Sequence, residues 1–322
     1  MLRYVAMKLG RAAFVIWAAF TLSFVLLFVL PANPVDLLFD PDQLNTLSPE
    51  TKARVAASYG FDKPLPAQYL DRLGHALRGD FGTSVRSGRS VTGAIGDVMP
   101  STIVLAVGAL VLALAIGFGI ALLASSTRWA WLRGVVEALP TAAVSVPIFL
   151  SGILLLQVFA FQLGWFPAYG DSGWTSLVLP LVALAIPVSG PIAQLLVRSF
   201  DHELHSGYVT TSWAKGATRS QVLVGDVFRN ASLPALTIAG ITFGNLIAGS
   251  VITETVFARQ GVGRLTQSAI SALDVPLVQG IVMFVAVTFA VINLIVDLAY
   301  PLLDPRLRAT LATGSAGMRR PR

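Results

Sequence analysis

Residues 101–127 read STIVLAVGALVLALAIGFGIALLASST, an apolar stretch without a charged side chain. Five other stretches share this property, at 12–30, 138–170, 172–197, 230–253 and 275–296. A helix needs about 20 mostly apolar residues to cross the hydrocarbon core of a bilayer. The six stretches therefore predict an all-α integral membrane protein, with transmembrane helices near 10–31, 101–125, 135–162, 177–200, 232–256 and 278–301.

The composition of the 322-residue chain agrees with this prediction and excludes several other classes. Hydrophobic residues make up 55% and charged residues only 12%, against about 25% charged in soluble domains. The chain has no cysteine, so it offers no disulfide, no thiolate nucleophile and no zinc–thiolate site. Its net charge of +6 includes one dense basic cluster, at 319–322. No basic patch is interleaved with aromatic residues, so no nucleic-acid partner is predicted.

The orientation of the spans follows from the lysines and arginines between them. The first stretch is longer than the roughly 7–15 apolar residues of a signal peptide and ends without a small-x-small cleavage site, so we interpret it as a retained helix. Leaving out the long segment 32–99, one side of the membrane holds 14 basic residues and the other holds 2. Because basic loops stay inside, we predict a multi-pass membrane protein with both termini in the cytoplasm.

The predicted organisation has four parts: 1–31 (N-terminus and first helix), 32–99 (extracytoplasmic segment), 100–302 (transmembrane core with a cytoplasmic loop at 201–232) and 303–322 (cytoplasmic tail). Segment 32–99 contains turn signals at Asp40-Pro41, Lys63-Pro64 and Ser87-Gly88. It also predicts a short amphipathic helix from Pro49 to Tyr59, with Ser48 as N-cap and Gly60 as C′ residue. It is too short for a separate enzyme domain and is expected to form an outward-facing cap or docking surface.

The spans lack the groups that catalysis would need. The three histidines, His75, His202 and His205, lie outside them, so no serine–histidine pair can form at bilayer depth. No His-x-x-x-His metal motif and no phosphate-binding Gly-x-x-x-x-Gly-Lys motif is present. We therefore predict no catalytic residue, metal site or cofactor on this chain. An integral-membrane hydrolase or an ion-coupled carrier remains the alternative.

Three acidic residues near predicted helix ends, Glu137, Glu254 and Asp297, have two interpretations. Acidic groups in spans are functional candidates by default, but near a helix end snorkelling or a capping contact is the favoured interpretation. A proton or ion relay would require more such groups near the membrane midplane, and the sequence does not contain them.

The fifth span carries a stripe of small residues, Gly240, Gly244 and Ala248. Such a stripe allows another helix backbone to approach closely. Ordinary packing within the chain and a seam against a partner subunit are both open interpretations.

The loop 201–232 predicts two short helices around a glycine turn. Tyr208 to Lys215 forms the first helix, and Gly216 is its C′ residue. Ser220 is predicted to cap the second helix. The expected apolar face of that helix is Val224, Val227, Phe228 and Ala231, with Asp226 and Arg229 opposite. Such a knob suits insertion into a groove on a cytoplasmic partner; a connector lying on the lipid headgroups is the alternative.

At this loop the sequence resembles a known family. The run Tyr208-Val209-Thr210-Thr211-Ser212-Trp213-Ala214-Lys215-Gly216-Ala217, followed by Phe228-Arg229-Asn230-Ala231-Ser232-Leu233-Pro234, resembles the coupling-loop motif of ABC-importer permeases, in particular the B-type permease of dipeptide, oligopeptide and nickel importers. Further similar motifs follow in the family's order along nearly the whole chain: Arg78-Gly79-Asp80-Phe81-Gly82-Thr83-Ser84, Leu163-Gly164-Trp165-Phe166-Pro167-Ala168, Glu254-Thr255-Val256-Phe257 with Gly261-Val262-Gly263-Arg264-Leu265, and Leu303-Asp304-Pro305-Arg306.

The resemblance implies the type I ABC-importer permease fold, a location in the bacterial plasma (inner) membrane, and transport of peptides or similar small polar solutes. It implies four kinds of partner: a homologous second permease, two cytoplasmic ATPases that bind ATP and Mg²⁺, an extracytoplasmic substrate-binding protein, and membrane lipid. The implied ATPase-coupling residues are Tyr208, Thr211, Ala214, Lys215, Gly216, Ala217 and Arg219.

The sequence departs from the family pattern at two places. Gly207, Thr210 and Trp213 stand where the family usually has one acidic and two basic residues, which affects the chemistry of the expected ATPase contact. Ala32-Asn33 replaces the usual Gly-Asp before Pro34.

Overall fold

A computed structural model describes residues 2–29, 48–58, 62–170 and 173–303. Within these ranges the chain forms twelve helical elements. They are α1 (Leu2–Phe24, extended by a π-helical turn, Val25–Val29), α2 (Pro49–Ser58), α3 (Leu65–Ala76), α4 (Val91–Ser126), α5 (Ala130–Ser145), α6 (Ile148–Leu155, extended by a π-helical turn, Leu156–Gln162), α7 (Thr175–Leu204), α8 (Gly207–Ala214), α9 (219–231), α10 (Leu233–Val256), α11 (Val262–Ser271) and α12 (Val275–Leu303).

Four of the described helices, α1, α4, α7 and α12, are long and apolar enough to cross a membrane. The pair α5 and α6 makes a fifth span when it is counted as one. The remaining predicted span corresponds to α10, which has 24 residues and therefore a length of about 36 Å. Its polar residues include Asn245 and Glu254. The all-α membrane fold is confirmed.

The third span differs from its prediction as one helix over 135–162. The axes of α5 and α6 meet at 99°. Val146, at φ −91° and ψ 118°, and Pro147, at φ −61° and ψ 142°, are both extended. Proline disfavours the helical conformation of the residue before it and has no N–H to continue the ladder. The helix starts again at Ile148, where the Ser151 N–H donates to the Pro147 carbonyl at 3.1 Å.

The second span begins ten residues earlier than the predicted start at 101, so the expected segment 32–99 overlaps its first turns. The Ser90 hydroxyl caps α4 by accepting a hydrogen bond from the Gly93 N–H at 3.2 Å. Asp97 and Pro100 lie inside the helix, although a charge and a proline suggested a boundary. With 36 residues α4 is about 54 Å long, so it extends beyond a hydrocarbon core of about 30 Å.

The core is built by small residues that bring α7 close to α4 and α5. A side chain at Gly117 of α4 would meet Ile192 and the backbone of Ala193 in α7. Gly190 of α7 similarly lies against the Pro140 carbonyl of α5. Close backbone approach of this kind is how membrane helices gain dispersion energy. The main buried cluster joins α4, α7, α8, α9 and α10, so these five elements form one packed unit.

The short helices α2 and α3 and the loop before α4, which we call the lobe, lie between the first two spans, and this loop is fastened to the start of α12. The predicted short helix is confirmed as α2, with the Thr51 N–H donating to Ser48 Oγ at 3.2 Å; Tyr59, Gly60 and the Asp40-Pro41 signal lie outside the described residues. The buried carboxylate of Asp274 accepts hydrogen bonds from the Ser84 hydroxyl at 2.5 Å and from the Leu277 N–H at 3.3 Å. Asp274 therefore caps α12 and holds the loop before α4.

Candidate functional site

The turn after α8 has the geometry that the sequence predicted. Gly216 has φ +84°, a left-handed conformation that costs a non-glycine residue about 1–2 kcal/mol. The Ala217 N–H donates to the Ser212 carbonyl at 3.1 Å, and the Gly216 N–H donates to the Trp213 carbonyl at 2.9 Å. This is a Schellman arrangement, which satisfies the last carbonyls of a helix at a glycine C′ residue. Gly216 therefore ends α8 and reverses the chain.

The start of α9 differs from its prediction by two residues. Thr218, rather than Ser220, is the N-cap: its Oγ1 accepts from the Gln221 N–H at 3.4 Å, and Gln221 Oε1 accepts from the Thr218 N–H at 2.8 Å. This reciprocal pair is a capping box. It requires Gln three residues after the cap, a signal that the sequence contained.

The apolar face of α9 was also predicted in the wrong register. Val227 and Ala231 are buried as expected, but Val222 and Leu223 are buried with them, and Val224 is 65% exposed. The helix runs through a π-helical segment, Val222–Val227. Its i→i+5 bonding places more residues in each turn than the 3.6 assumed from the pattern, which rotates the buried face.

Three hydrogen bonds anchor this unit of α8, the Gly216 turn and α9, which we call the knob (207–231). The Ser212 hydroxyl donates to Asp226 Oδ2 at 2.7 Å and ties the two helices together. Arg219 Nη2 donates to the Ser125 carbonyl at 2.6 Å, at the end of α4. The Tyr208 hydroxyl donates to Glu203 Oε2 at 2.6 Å, at the end of α7. Burial and this bond raise the pKa of Tyr208 above its usual value.

The outer surface of the knob is exposed and contains most of the predicted coupling residues. Trp213 is 53% exposed and Tyr208 38% exposed, and large aromatic side chains at such positions are typical of binding surfaces. The structure places the predicted coupling residues together around the turn, exposed except for the partly buried Ala217: Tyr208, Thr211, Ala214, Lys215, Gly216, Ala217 and Arg219.

The small residues of α10 do not share one environment. Gly240 is buried, and Gly244 lies against the Phe289 ring of α12, which leaves no room there for a side chain. Ala248 is exposed. At Gly244 the stripe is therefore packing within the chain, while Ala248 lies on the outer face of α10.

Glu254, one of the three acidic residues at helix ends, caps a helix in the protein interior. It is fully buried, and its carboxylate accepts hydrogen bonds from Thr102 Oγ1 at 2.6 Å and from the backbone N–H groups of Gly263 at 2.8 Å and Arg264 at 3.2 Å. A carboxylate at the N-terminus of α11 also complements the helix dipole. Glycine is needed at 261 because a side chain there would overlap the Glu254 carboxylate.

The other two acidic residues are ion-paired at the surface. Glu137 accepts from Arg133 Nε at 2.7 Å within α5. Asp297 pairs with Lys8 at 2.7 Å and links α12 to α1. Each of the three carboxylates therefore has a partner within the protein, and at Glu254 that partner set is the cap of α11.

Residues 113–309 match the sequence pattern of a protein family described as the binding-protein-dependent transport system inner membrane component. The chain belongs to this family of ABC-importer permeases. The match covers α5 to α12 and includes the whole knob. The permease is accordingly a membrane-embedded, multi-pass transport component that works with ATPase and substrate-binding partners, and it is not an enzyme.

Curated relatives extend the similarity over almost the whole permease. The glutathione transport system permease protein GsiC of Salmonella choleraesuis (strain SC-B67) is 32% identical over 308 residues, which cover 96% of this chain and 99% of the relative. The GsiC protein of Escherichia coli (strain K12) is 31% identical with the same coverage. A probable peptide ABC transporter permease protein, y4tP of Sinorhizobium fredii, is 33% identical over 293 residues, which cover 88% of this chain and 92% of the relative.

A solved structure shares the fold of the permease core. It is described as inward-facing conformations of the MetNI methionine ABC transporter, and it superimposes with a TM-score of 0.57 over 66% of this chain and 96% of the other. The identity is 17%, so this likeness concerns the fold alone. It agrees with the permease fold that the sequence motifs implied.

Proposed function

We propose that this permease forms half of a translocation path for peptides or similar small polar solutes and couples to a cytoplasmic ATPase through the knob. The observation that carries the proposal is the contrast between the two sides of the knob. Its outer side exposes Trp213 and the Gly216 turn. Its inner side is part of the main core through Val222, Leu223 and Val227.

The contrast supports a mechanism of force transfer. A partner that moves the exposed turn would also move the ends of α4 and α7, because Arg219 and Tyr208 are bonded to them. Packed helices respond to such displacement as rigid bodies that shift between discrete arrangements. ATPase closure would therefore tilt α4 and α7 and exchange the side to which the path opens.

The assembly we propose contains this permease, a homologous second permease, two ATPases and an extracytoplasmic substrate-binding protein. In this arrangement the knob and both termini face the cytoplasm. The lobe of α2, α3 and the loop before α4 faces the binding protein. The fastening of this lobe by Asp274 supports a docking role, since a fixed surface loses less conformational entropy on binding.

The peptide class of the solute is supported by the relatives, one named for glutathione transport and one for probable peptide transport. Uptake assays on the assembled importer with competing peptides of different length would distinguish a dipeptide carrier from an oligopeptide carrier.

Reconstitution tests the proposed function directly. The permease is inserted in liposomes with its second permease and ATPases, and labelled peptide is supplied outside with the binding protein. We expect uptake that requires ATP and stops when the ATPases carry a hydrolysis-deficient substitution. Uptake without ATP would instead indicate a carrier driven by an ion gradient, and peptide cleavage would indicate the hydrolase alternative.

A further inference from the structure

A polar groove lies between α5 and α7, on the end of these helices next to the knob. It has a volume of about 360 Å³. The residues that line it and carry polar groups are Arg133, Glu137, Thr141, Gln194, Arg198 and Asp201. From Arg133 to Thr141 the groove runs about 12 Å along α5, which takes it from the end of the span into membrane depth.

The charged side chains of this groove contrast with many other outward surfaces of the spans. Large apolar side chains lie outward elsewhere, such as Phe14 of α1, Val111 of α4 and Phe161 after α6, each more than half exposed. Such side chains suit lipid. Charged side chains at membrane depth face a water-filled cavity or another protein surface, because lipid cannot solvate them. The groove therefore suits contact with water and a polar solute better than contact with lipid.

The ion pairs in the groove leave one cation available. Arg133 donates to Glu137 Oε1 at 2.7 Å and to Asp201 Oδ1 at 3.1 Å, so a single guanidinium holds both carboxylates. Asp201 lies three residues after Arg198 on α7 and would be its natural helical partner. Asp201 is instead ion-paired with Arg133. Among the described residues, Arg198 has no hydrogen-bond or ion-pair partner.

We propose that Arg198 binds the carboxylate of the solute as it passes the inner mouth of the path. This inference rests on the proposed function and names the group of the solute that the permease itself contacts. A guanidinium is always charged and matches a carboxylate with two parallel hydrogen bonds. The neighbouring Glu137 and Asp201 carboxylates suit the ammonium group at the other end of a zwitterion. The groove thus fits peptides with both termini free.

Matched peptides test this assignment in the assembled importer. A tripeptide with a free C-terminal carboxylate is compared with the same tripeptide amidated at its C-terminus. We expect Arg198→Gln to lower uptake of the free acid about tenfold and uptake of the amide less than twofold. For each peptide, uptake by the variant is divided by uptake by the wild type, so that any selection by the binding protein cancels. Arg11→Gln, on the peripheral helix α1, is the matched control and should change neither ratio.

A second measurement needs no binding protein. Because the chain has no cysteine, Gln194→Cys creates a single thiol in the groove, and its rate of maleimide labelling reports occupancy. The free-acid tripeptide should protect this thiol when Arg198 is present and fail to protect it in the Arg198→Gln background. The amidated tripeptide should not protect the thiol either when Arg198 is present or in the Arg198→Gln background.

Three results would overturn the assignment. One is that Arg198→Gln lowers uptake of both peptides equally, or of neither, while uptake by the wild type remains ATP-dependent. Another is a free-acid effect that disappears in vesicles of phosphatidylcholine alone, which contain no lipid of net negative charge; the partner of Arg198 would then be the headgroup of an anionic lipid. The third is the absence of ATP-driven peptide uptake by the wild type, which would remove the proposed function together with the groove.

Discussion

Thr102 of α4 donates a hydrogen bond to Glu254 of α10 at 2.6 Å, across 152 residues of sequence and between two fully buried side chains. The same Thr102 Oγ1 accepts from the Val262 N–H at 2.8 Å. One side-chain pair therefore joins the second and fifth spans to the start of α11.

Removing this carboxylate should destabilise the permease. Glu254→Ala leaves the Thr102 hydroxyl and the Gly263 and Arg264 N–H groups buried without an acceptor, at a cost of about 3 kcal/mol. We expect the thermal midpoint in detergent to fall by about 6 °C or more. Glu137→Gln, at an exposed ion pair, is the control and should shift the midpoint by about 2 °C at most. Equal midpoints for the two variants would contradict the capping role.

Replacing the turn glycine should separate insertion from transport. Gly216→Val places a β-branched residue at φ +84° and adds bulk at the exposed turn. We expect uptake to fall more than tenfold and ATPase association to weaken, while membrane insertion stays normal. Gly225→Ala, in the same knob but with open space around it, should leave uptake unchanged. Normal uptake by Gly216→Val would refute coupling through this turn.

Truncating the exposed indole of the knob should affect binding and not folding. A buried aromatic anchor contributes about 2 kcal/mol or more to an interface, so Trp213→Ala should weaken ATPase binding roughly thirtyfold. Co-purification and the thermal midpoint measure the two effects separately. Trp174→Ala, which removes the 74% exposed indole just before α7, is the control at the other end of that span. Unchanged ATPase affinity in Trp213→Ala would place the docking surface elsewhere.

Single cysteines should report the orientation of the permease. The chain has none of its own, and both Lys215 and Arg78 are exposed. An impermeant maleimide should label Arg78→Cys from outside intact cells whose outer membrane has been opened. It should label Lys215→Cys only after the inner membrane is opened as well. The reverse pattern would place the knob on the far side and exclude coupling to a cytoplasmic ATPase.

The sequence predicted the features that are determined locally. Charge-free stretches located the helices because lipid excludes charged groups along a whole span. Gly216 located the turn because the turn depends only on the ease with which glycine adopts a left-handed backbone conformation. The break at Val146-Pro147 was missed because proline alone does not specify a break: Pro180, Pro187 and Pro191 all lie within the continuous helix α7. What distinguishes Pro147 is tertiary, since the helix after it packs Gly152 against Val256 and Phe257.

Contacts between residues that lie far apart in the sequence were the other feature that could not be predicted. Glu254 was recognised as a boundary acid, but its partners lie 152 residues before it and 9 and 10 residues after it. The groove around Arg198 was not predicted because Arg133 and Asp201 are 68 residues apart. In the sequence each is an ordinary charge near a helix end. The aspartate before α12 carried a capping signal, but nothing local indicated its bond to Ser84.

The hydrophobic centre of the knob belongs to the membrane core, because Val209, Val222 and Val227 share one buried cluster with α4, α7 and α10. A peptide cut from 201–232 would lose that support and most of its helical structure, since helices this short are marginal in water. Such a fragment would make a poor competitor for the ATPase. A useful mimic would have to be cross-linked into its bent shape beforehand.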